Sequence, residues 1–190
     1  TILIISTLDT KGPETFYLRD RISRLGGFPV VLDISMRPTG GNGADVTPEE
    51  VARAAGSTME EILASTERAK NTAVMTRGAA VTAVGMLKEG RLDGIIGIGG
   101  STGSLMATDV MRALPFGVPK MMVSSTAALP GMSTRYIGTG DIALMHAVVE
   151  IAGLGDVLKN VIDRAARGIC AMAEAAPISS REKGAGRKAV

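Results

Sequence analysis

Aromatic residues are scarce. Tryptophan is absent, and two Tyr and three Phe make up 3% of the 190 residues. Surfaces for single-stranded nucleic acid stack bases on such rings, so their scarcity argues against that class. An excess of positive charge is missing too. Lys and Arg total 21 against 19 Asp and Glu, a net charge of +2, far from the basic balance of a nucleic-acid surface. The single cysteine, Cys170, excludes an intrachain disulfide and suits a reducing cytoplasm. One cysteine and one histidine, His146, fall short of a zinc-ligand set. Cys170 sits in an apolar helical pattern and reads as a buried structural thiol rather than a nucleophile. No apolar run reaches the roughly 18 residues of a membrane span, and no signal-peptide pattern opens the sequence. The expectation is a cytoplasmic protein that binds neither membrane nor nucleic acid.

What is abundant is glycine, at 24 residues, and methionine, at 11. Length allows one domain with a sizeable core. The sequence starts at Thr1 on a strand-like run and closes in a polar stretch, as a piece of something longer would. The chain is organised around DGIIGIGGSTGS at 93–104. Ile95–Ile98 reads as a buried strand. Gly99 and Gly100 allow a sharp turn, and Ser101 or Thr102 offers an N-cap for a helix over Met106–Leu114. Strand, glycine turn and helix start aim free N–H groups at an anion, here a nucleotide phosphate. The turn is neither a complete dinucleotide fingerprint, because Thr102 replaces its third glycine, nor a P-loop. A ligand-free strand-to-helix turn is the competing reading.

In order, TILIIS at 1–6 reads as the first strand and 7–12 as a loop with an acid, a hydroxyl and a lysine. Pro13 opens a helix with Leu18, Ile22 and Leu25 on its buried face, ended by Gly26 and Gly27. FPVVLDI at 28–34 is the second strand, with Asp33 at the end where ribose-binding acids lie; a loop-ordering carboxylate is the alternative. A loop over 35–46 precedes a capping box at Thr47–Glu50 and a short helix closed by Gly56. A second capping box, Ser57 with Glu60, starts one long helix to Lys88, in which Gly78 and Gly85 mark a break or close packing and Arg68, Lys70 and Arg77 read as solvated, with a reach to phosphate by any one of them as the weaker alternative. PKMMVS at 119–124 is a fourth strand. A short strand is expected over 135–137, and Gly138, Thr139, Gly140 and Asp141 open a helix through Ile151. Residues 156–175 form the last helix, and 177–190 a polar basic linker or disordered tail.

This alternation specifies an α/β, Rossmann-like three-layer sandwich with a mainly parallel sheet of four or five strands, filling 1–176 as one lobe. Loops 7–12, 99–104 and 138–141 are expected to share one pocket at the carboxyl edge. The candidate ligand-binding residues are Asp9, Thr10, Lys11 and Gly12, then Asp33, then Gly99, Gly100, Ser101, Thr102, Gly103 and Ser104, and finally Thr139, Gly140 and Asp141.

TLDTKG at 7–12, DVTPEEVARAAG at 45–56, DGIIGIGGSTGS at 93–104, LPFGVPKMMVSS at 114–125 and YIGTGDIALMHAVVEIAGL at 136–154 together resemble one family. It is the ATP-binding domain family named after the tomato mosaic virus resistance protein, an uncharacterised protein family. The resemblance covers about 1–176. It implies ATP binding, and a module of roughly twice this length with two Rossmann-like lobes, of which this chain resembles the first. The family's turn has glycine where this chain has Thr102. The expected function is therefore an ATP-binding module, with magnesium accompanying the phosphates. The alternatives are a lobe of an enzyme acting on a phosphorylated or acidic small metabolite, and an interaction module. In the last, helices over 142–152 and 156–175 pair with the second lobe or with another copy in a homo-oligomer.

Overall fold

A computed structural model describes residues 1–37 and 43–175. β1 (Ile2–Ser6) is buried at every position, as its unbroken apolar run requires. It leads into α1 (Leu8–Arg24), β2 (Pro29–Asp33), α2 (Pro48–Ala54), α3 (Met59–Ala64) and α4 (Arg68–Lys88). β3 (Gly94–Gly99), α5 (Ser101–Arg112), β4 (Lys120–Ser124), α6 (Met132–Ile137), β5 (Ala143–His146) and α7 (Asp156–Ala175) complete the chain. The five strands form one sheet in the order β2-β1-β3-β4-β5, with every pair parallel. The expected α/β sandwich is present.

Two side-chain files cross the sheet, one per face. Val31, Ile4, Ile96 and Met121 are in register and face α1 and α7. Leu32, Ile5, Gly97 and Met122 are in register and belong to the face of α2 to α5. Gly97 breaks that second file for a packing reason. A Cβ there would lie 2.8 Å from Ala107 Cβ and 2.6 Å from Met122 Sδ, so glycine lets α5 settle on the sheet. Gly78 does the same between helices: a Cβ would stand 1.9 Å from the Val51 carbonyl oxygen, so α4 crosses α2 almost backbone to backbone. On α7, Leu158, Val161, Ile162, Ala165, Ala166 and Ile169 are all buried on its own sheet. The apolar face expected to seat a partner is thus used inside the lobe.

Several local expectations are corrected. α1 is helical from Leu8, with a kink at Lys11 (φ −130°, ψ 21°). Pro13, two residues on, lacks an N–H and crowds the carbonyl four residues back. The second capping box is Thr58 with Glu61, one residue later than expected; Thr58 Oγ1 accepts from Glu61 N–H at 3.2 Å while Glu61 Oε2 accepts from Thr58 N–H at 3.2 Å. The long helix is two helices broken at 65–67, where Ser65 Oγ accepts from Glu67 N–H and Asn71 Nδ2 donates to Ile62 O and Ser65 O. α5 starts at Ser101 with Gly100 as N-cap, and no hydroxyl caps it.

The sharpest reversal lies near the end of the chain. Residues 135–137 are helical, within α6, and the helix expected through Ile151 is absent; β5 occupies 143–146. Ala143-Leu144-Met145-His146 has no strong strand propensity. Pairing with Met121–Ser124 of β4 supplies the hydrogen bonds and the partial burial that outweigh it. Among the described residues, no helix is long and apolar enough to cross a membrane. Positions 38–42 of the expected loop and the expected tail lie outside the described residues.

Candidate functional site

The sheet order puts β1 and β3 side by side while their connections diverge: α1 packs on one face and α5 on the other. Such a switch point opens a crevice beyond the strands' carboxyl ends. Here it holds a cleft of about 560 Å³, within the range of small-molecule sites. Thr7, Asp9, Thr10 and Lys11 line it after β1, and Gly100 to Gly103 after β3. The far wall comes from the α3–α4 break, through Ile62, Leu63, Ser65, Thr66, Arg68 and Asn71, with Met36 and Arg37 following β2.

Helices α1, α4 and α5 all begin at this cleft, but their first N–H groups are engaged differently. In α1 the Leu8 N–H donates to Asp33 Oδ1 (3.1 Å) and the Asp9 N–H to Ser35 Oγ (3.1 Å), while Thr10 and Lys11 N–H reach Thr7 O. In α4 the Arg68 N–H reaches Thr66 O. In α5 the first rung is Ser104 N–H to Gly100 O, at 2.9 Å. The N–H groups of Ser101, Thr102 and Gly103 precede that rung and open on the cleft, carrying the positive end of the helix dipole. Outside its own helix, nothing stands within 4 Å of where a Cβ on Gly103 would be. Gly99 lies beneath the turn, where a Cβ would sit 3.4 Å from Gly103 Cα.

The lining is cationic. Lys11, Arg37 and Arg68 stand against one carboxylate, Asp9. Lys11 Nζ donates to Ile151 O at 2.5 Å, and Arg37 and Arg68 form no ion pair among the described residues. Met36, Ile62 and Leu63 form an apolar wall opposite, and among the described residues no aromatic ring lines the cleft. The arrangement suits an anionic group on the α5 turn attached to a flat or apolar body.

Of the residues singled out from sequence, Asp9, Thr10, Lys11, Gly100, Ser101, Thr102 and Gly103 line this cleft. Gly12 is buried beside Phe16. Asp33 is fully buried and takes the loop-ordering role, accepting also from Ser35 N–H (2.9 Å) and Ser35 Oγ (2.5 Å). Ser104 is fully buried, with its hydroxyl 2.7 Å from Ser124 Oγ.

Thr139, Gly140 and Asp141 are not brought to the cleft. They precede a parallel strand and therefore lie at the amino edge, opposite the cleft. There Asp141 Oδ1 meets Lys120 Nζ at 2.7 Å and Asp141 Oδ2 accepts from Gly117 N–H at 2.7 Å. Burial pushes the Asp141 carboxyl up, but the Lys120 and Gly117 hydrogen bonds and the Lys120 charge outweigh it, leaving its pKa below the usual carboxylate value.

Arg37, Asn71 and the apolar wall are not read from sequence as site residues, and Arg68 reads there as solvated, with a reach to phosphate only as the weaker alternative. Ser65-Thr66-Glu67, a run of helix-competing residues inside an otherwise helical pattern, is the signal that marks the wall. Cys170 is buried on α7, and burial, then Glu174, raises its thiol pKa, as suits a structural cysteine. No cluster of three or more His, Cys, Asp or Glu suited to a metal ion occurs among the described residues.

The chain is similar to known proteins over most of its length. Residues 1–177 match the N-terminal domain of an uncharacterised protein family, UPF0261. A UPF0261 protein of Clostridium tetani is 34% identical over 171 residues, covering 90% of this chain and 42% of that protein. One from Brucella suis biovar 1 is 32% identical over 182 residues, 96% of this chain and 43% of that protein. The ToMV resistance protein Tm-1(GCR237) of Solanum lycopersicum is 29% identical over 196 residues, 95% of this chain and 26% of that protein. The chain thus spans less than half the length of these relatives. It belongs to the uncharacterised protein family UPF0261, whose N-terminal domain it contains.

Proposed function

We propose that this lobe binds a nucleotide, ATP, with its phosphates on the α5 turn. The observation that carries the reading is the set of free N–H groups of Ser101, Thr102 and Gly103, opening on a cleft with three cationic side chains and one carboxylate. Phosphate oxygens accept from the N–H groups, and Arg68, Arg37 and Lys11 balance the remaining charge. The base lies against Met36, Ile62 and Leu63. Among the described residues Asp9 is the one carboxylate in the lining, so magnesium enters already chelated by phosphate rather than held in a protein cage. Thr102, in place of the third fingerprint glycine, disfavours a dinucleotide.

Calorimetric titration with ATP and magnesium, with NAD as control, tests this. Uptake of ATP alone is expected. No uptake, by this chain or by a full-length relative, overturns the reading.

A further inference from the structure

A chain of hydroxyls, buried except at the half-buried Thr126, runs from the first turn of α5 to α6. Ser104 Oγ lies 2.7 Å from Ser124 Oγ and 3.3 Å from Gly99 O. It has one proton, and the shorter contact takes it. Ser124 Oγ also accepts from Thr126 N–H at 3.2 Å, which fills its acceptor capacity, so its own proton goes to Thr126 Oγ1 at 3.1 Å. Thr126 Oγ1 lies 2.5 Å from Tyr136 Oη. Ser104, Ser124 and Tyr136 are all fully buried.

Tyr136 also reaches the other end of α5. Arg112, the last residue of that helix, donates through Nη1 to Tyr136 O at 2.6 Å. One residue is therefore tied to the first turn of α5 through its hydroxyl and to the last turn through its carbonyl. A buried polar chain costs desolvation that apolar side chains of the same shape would avoid. What it adds is a unique geometry.

We infer that Tyr136 is a positioning residue: it sets the placement of α5 and with it the direction of the Ser101–Gly103 N–H groups. This rests on the reading of that turn as a nucleotide phosphate site. Tyr136 itself does not line the cleft and is not expected to touch ligand.

The test uses three variants of the whole chain. Tyr136→Phe removes the hydroxyl at the end of the chain, Thr126→Val interrupts its middle at constant shape, and Thr126→Ser keeps the hydroxyl. Amide NMR signals of Ser101–Ser104 are recorded, and ATP with magnesium is titrated. The first two variants are expected to shift those amides, leave the Ile95–Ile98 amides in place, and weaken ATP by about fivefold, as when one turn N–H no longer aligns on a phosphate oxygen. Thr126→Ser is expected to restore both. If Tyr136→Phe does not fold, Thr126→Val against Thr126→Ser carries the comparison. Amides of Ser101–Ser104 that stay in place overturn the inference. So does an unchanged Kd for ATP in variants whose amides shift. Shifted amides in a chain whose wild type takes no ATP remove the nucleotide reading and leave Tyr136 as the holder of the turn.

Discussion

The Lys120 ammonium and the Asp141 carboxylate meet at 2.7 Å beneath the amino edge of the sheet, and the lysine is 1% exposed. Pro115 O (2.8 Å) and Val118 O (3.0 Å) take the other two ammonium protons. A buried lysine is sustainable only with its full set of acceptors, so Asp141 acts here as a counter-ion. Asp141→Asn is expected to destabilise the lobe by about 3 kcal/mol, because it leaves the ammonium buried beside a neutral group. Urea unfolding monitored by circular dichroism measures it.

The same pair sets a pH dependence. The folded Asp141 pKa lies below its unfolded value of roughly 3.9. Its contribution is therefore complete above that value and is lost as pH falls through the lower, folded pKa. The wild type is expected to lose stability faster than Asp141→Asn below about pH 4. Parallel acid titrations would refute this attribution.

Two glycines on one helix make opposite predictions. At Gly78 an added Cβ would overlap the Val51 carbonyl at 1.9 Å, whereas at Gly85 nothing stands within 4 Å. Gly78→Ala is expected to cost about 3 kcal/mol or more by forcing α4 away from α2. Gly85→Ala is expected to add about 0.5–1 kcal/mol through helix propensity. Thermal melts of the two variants measure this contrast.

At the cleft, Gly100 adopts φ −82° and ψ −159°, open to any residue, and a Cβ there meets only Ser125 Oγ, at 3.9 Å. Gly100→Val is expected to keep the fold and abolish ATP binding by placing a branched side chain at the mouth of the α5 turn. Arg68→Gln is expected to weaken ATP by about tenfold and to flatten the salt dependence of Kd. A folded Gly100→Val that takes ATP like wild type would displace the phosphates from this turn.

The placement of the second capping box is testable in the same way. Thr58→Ala is expected to cost about 1 kcal/mol, as an N-cap loss does. Ser57→Ala removes only an exposed hydroxyl bond to Glu61 Oε2 and is expected to cost a few tenths of a kcal/mol. Equal losses would mean that the cap is shared.

What can be read from neighbours in sequence survives folding here. The runs at 2–6 and 94–99 become central buried strands, Thr47 with Glu50 caps α2 with both bonds formed, and 156–175 is one amphipathic helix. Each is governed by residues within one or two turns of each other. The Gly100–Gly103 side of the cleft was legible for the same reason, because a strand followed by a glycine turn is a local geometry.

The remainder depended on partners distant in the chain. Ala143–His146 becomes a strand because β4 lies beside it, and that pairing sends Asp141 to the amino edge to neutralise Lys120. Asp33 is buried and orders the loop because the N–H of Leu8, 25 residues earlier, is within its reach. Arg68 and Arg37 reach the cleft only because the helix pattern breaks at 65–67 and the loop after β2 arrives at the same edge. Local sequence carries periodicity and turn chemistry. Which strand lies beside which, and so which charges meet, follows from the closing of the sheet, where hydrogen bonding and burial override propensities of a few tenths of a kcal/mol per residue.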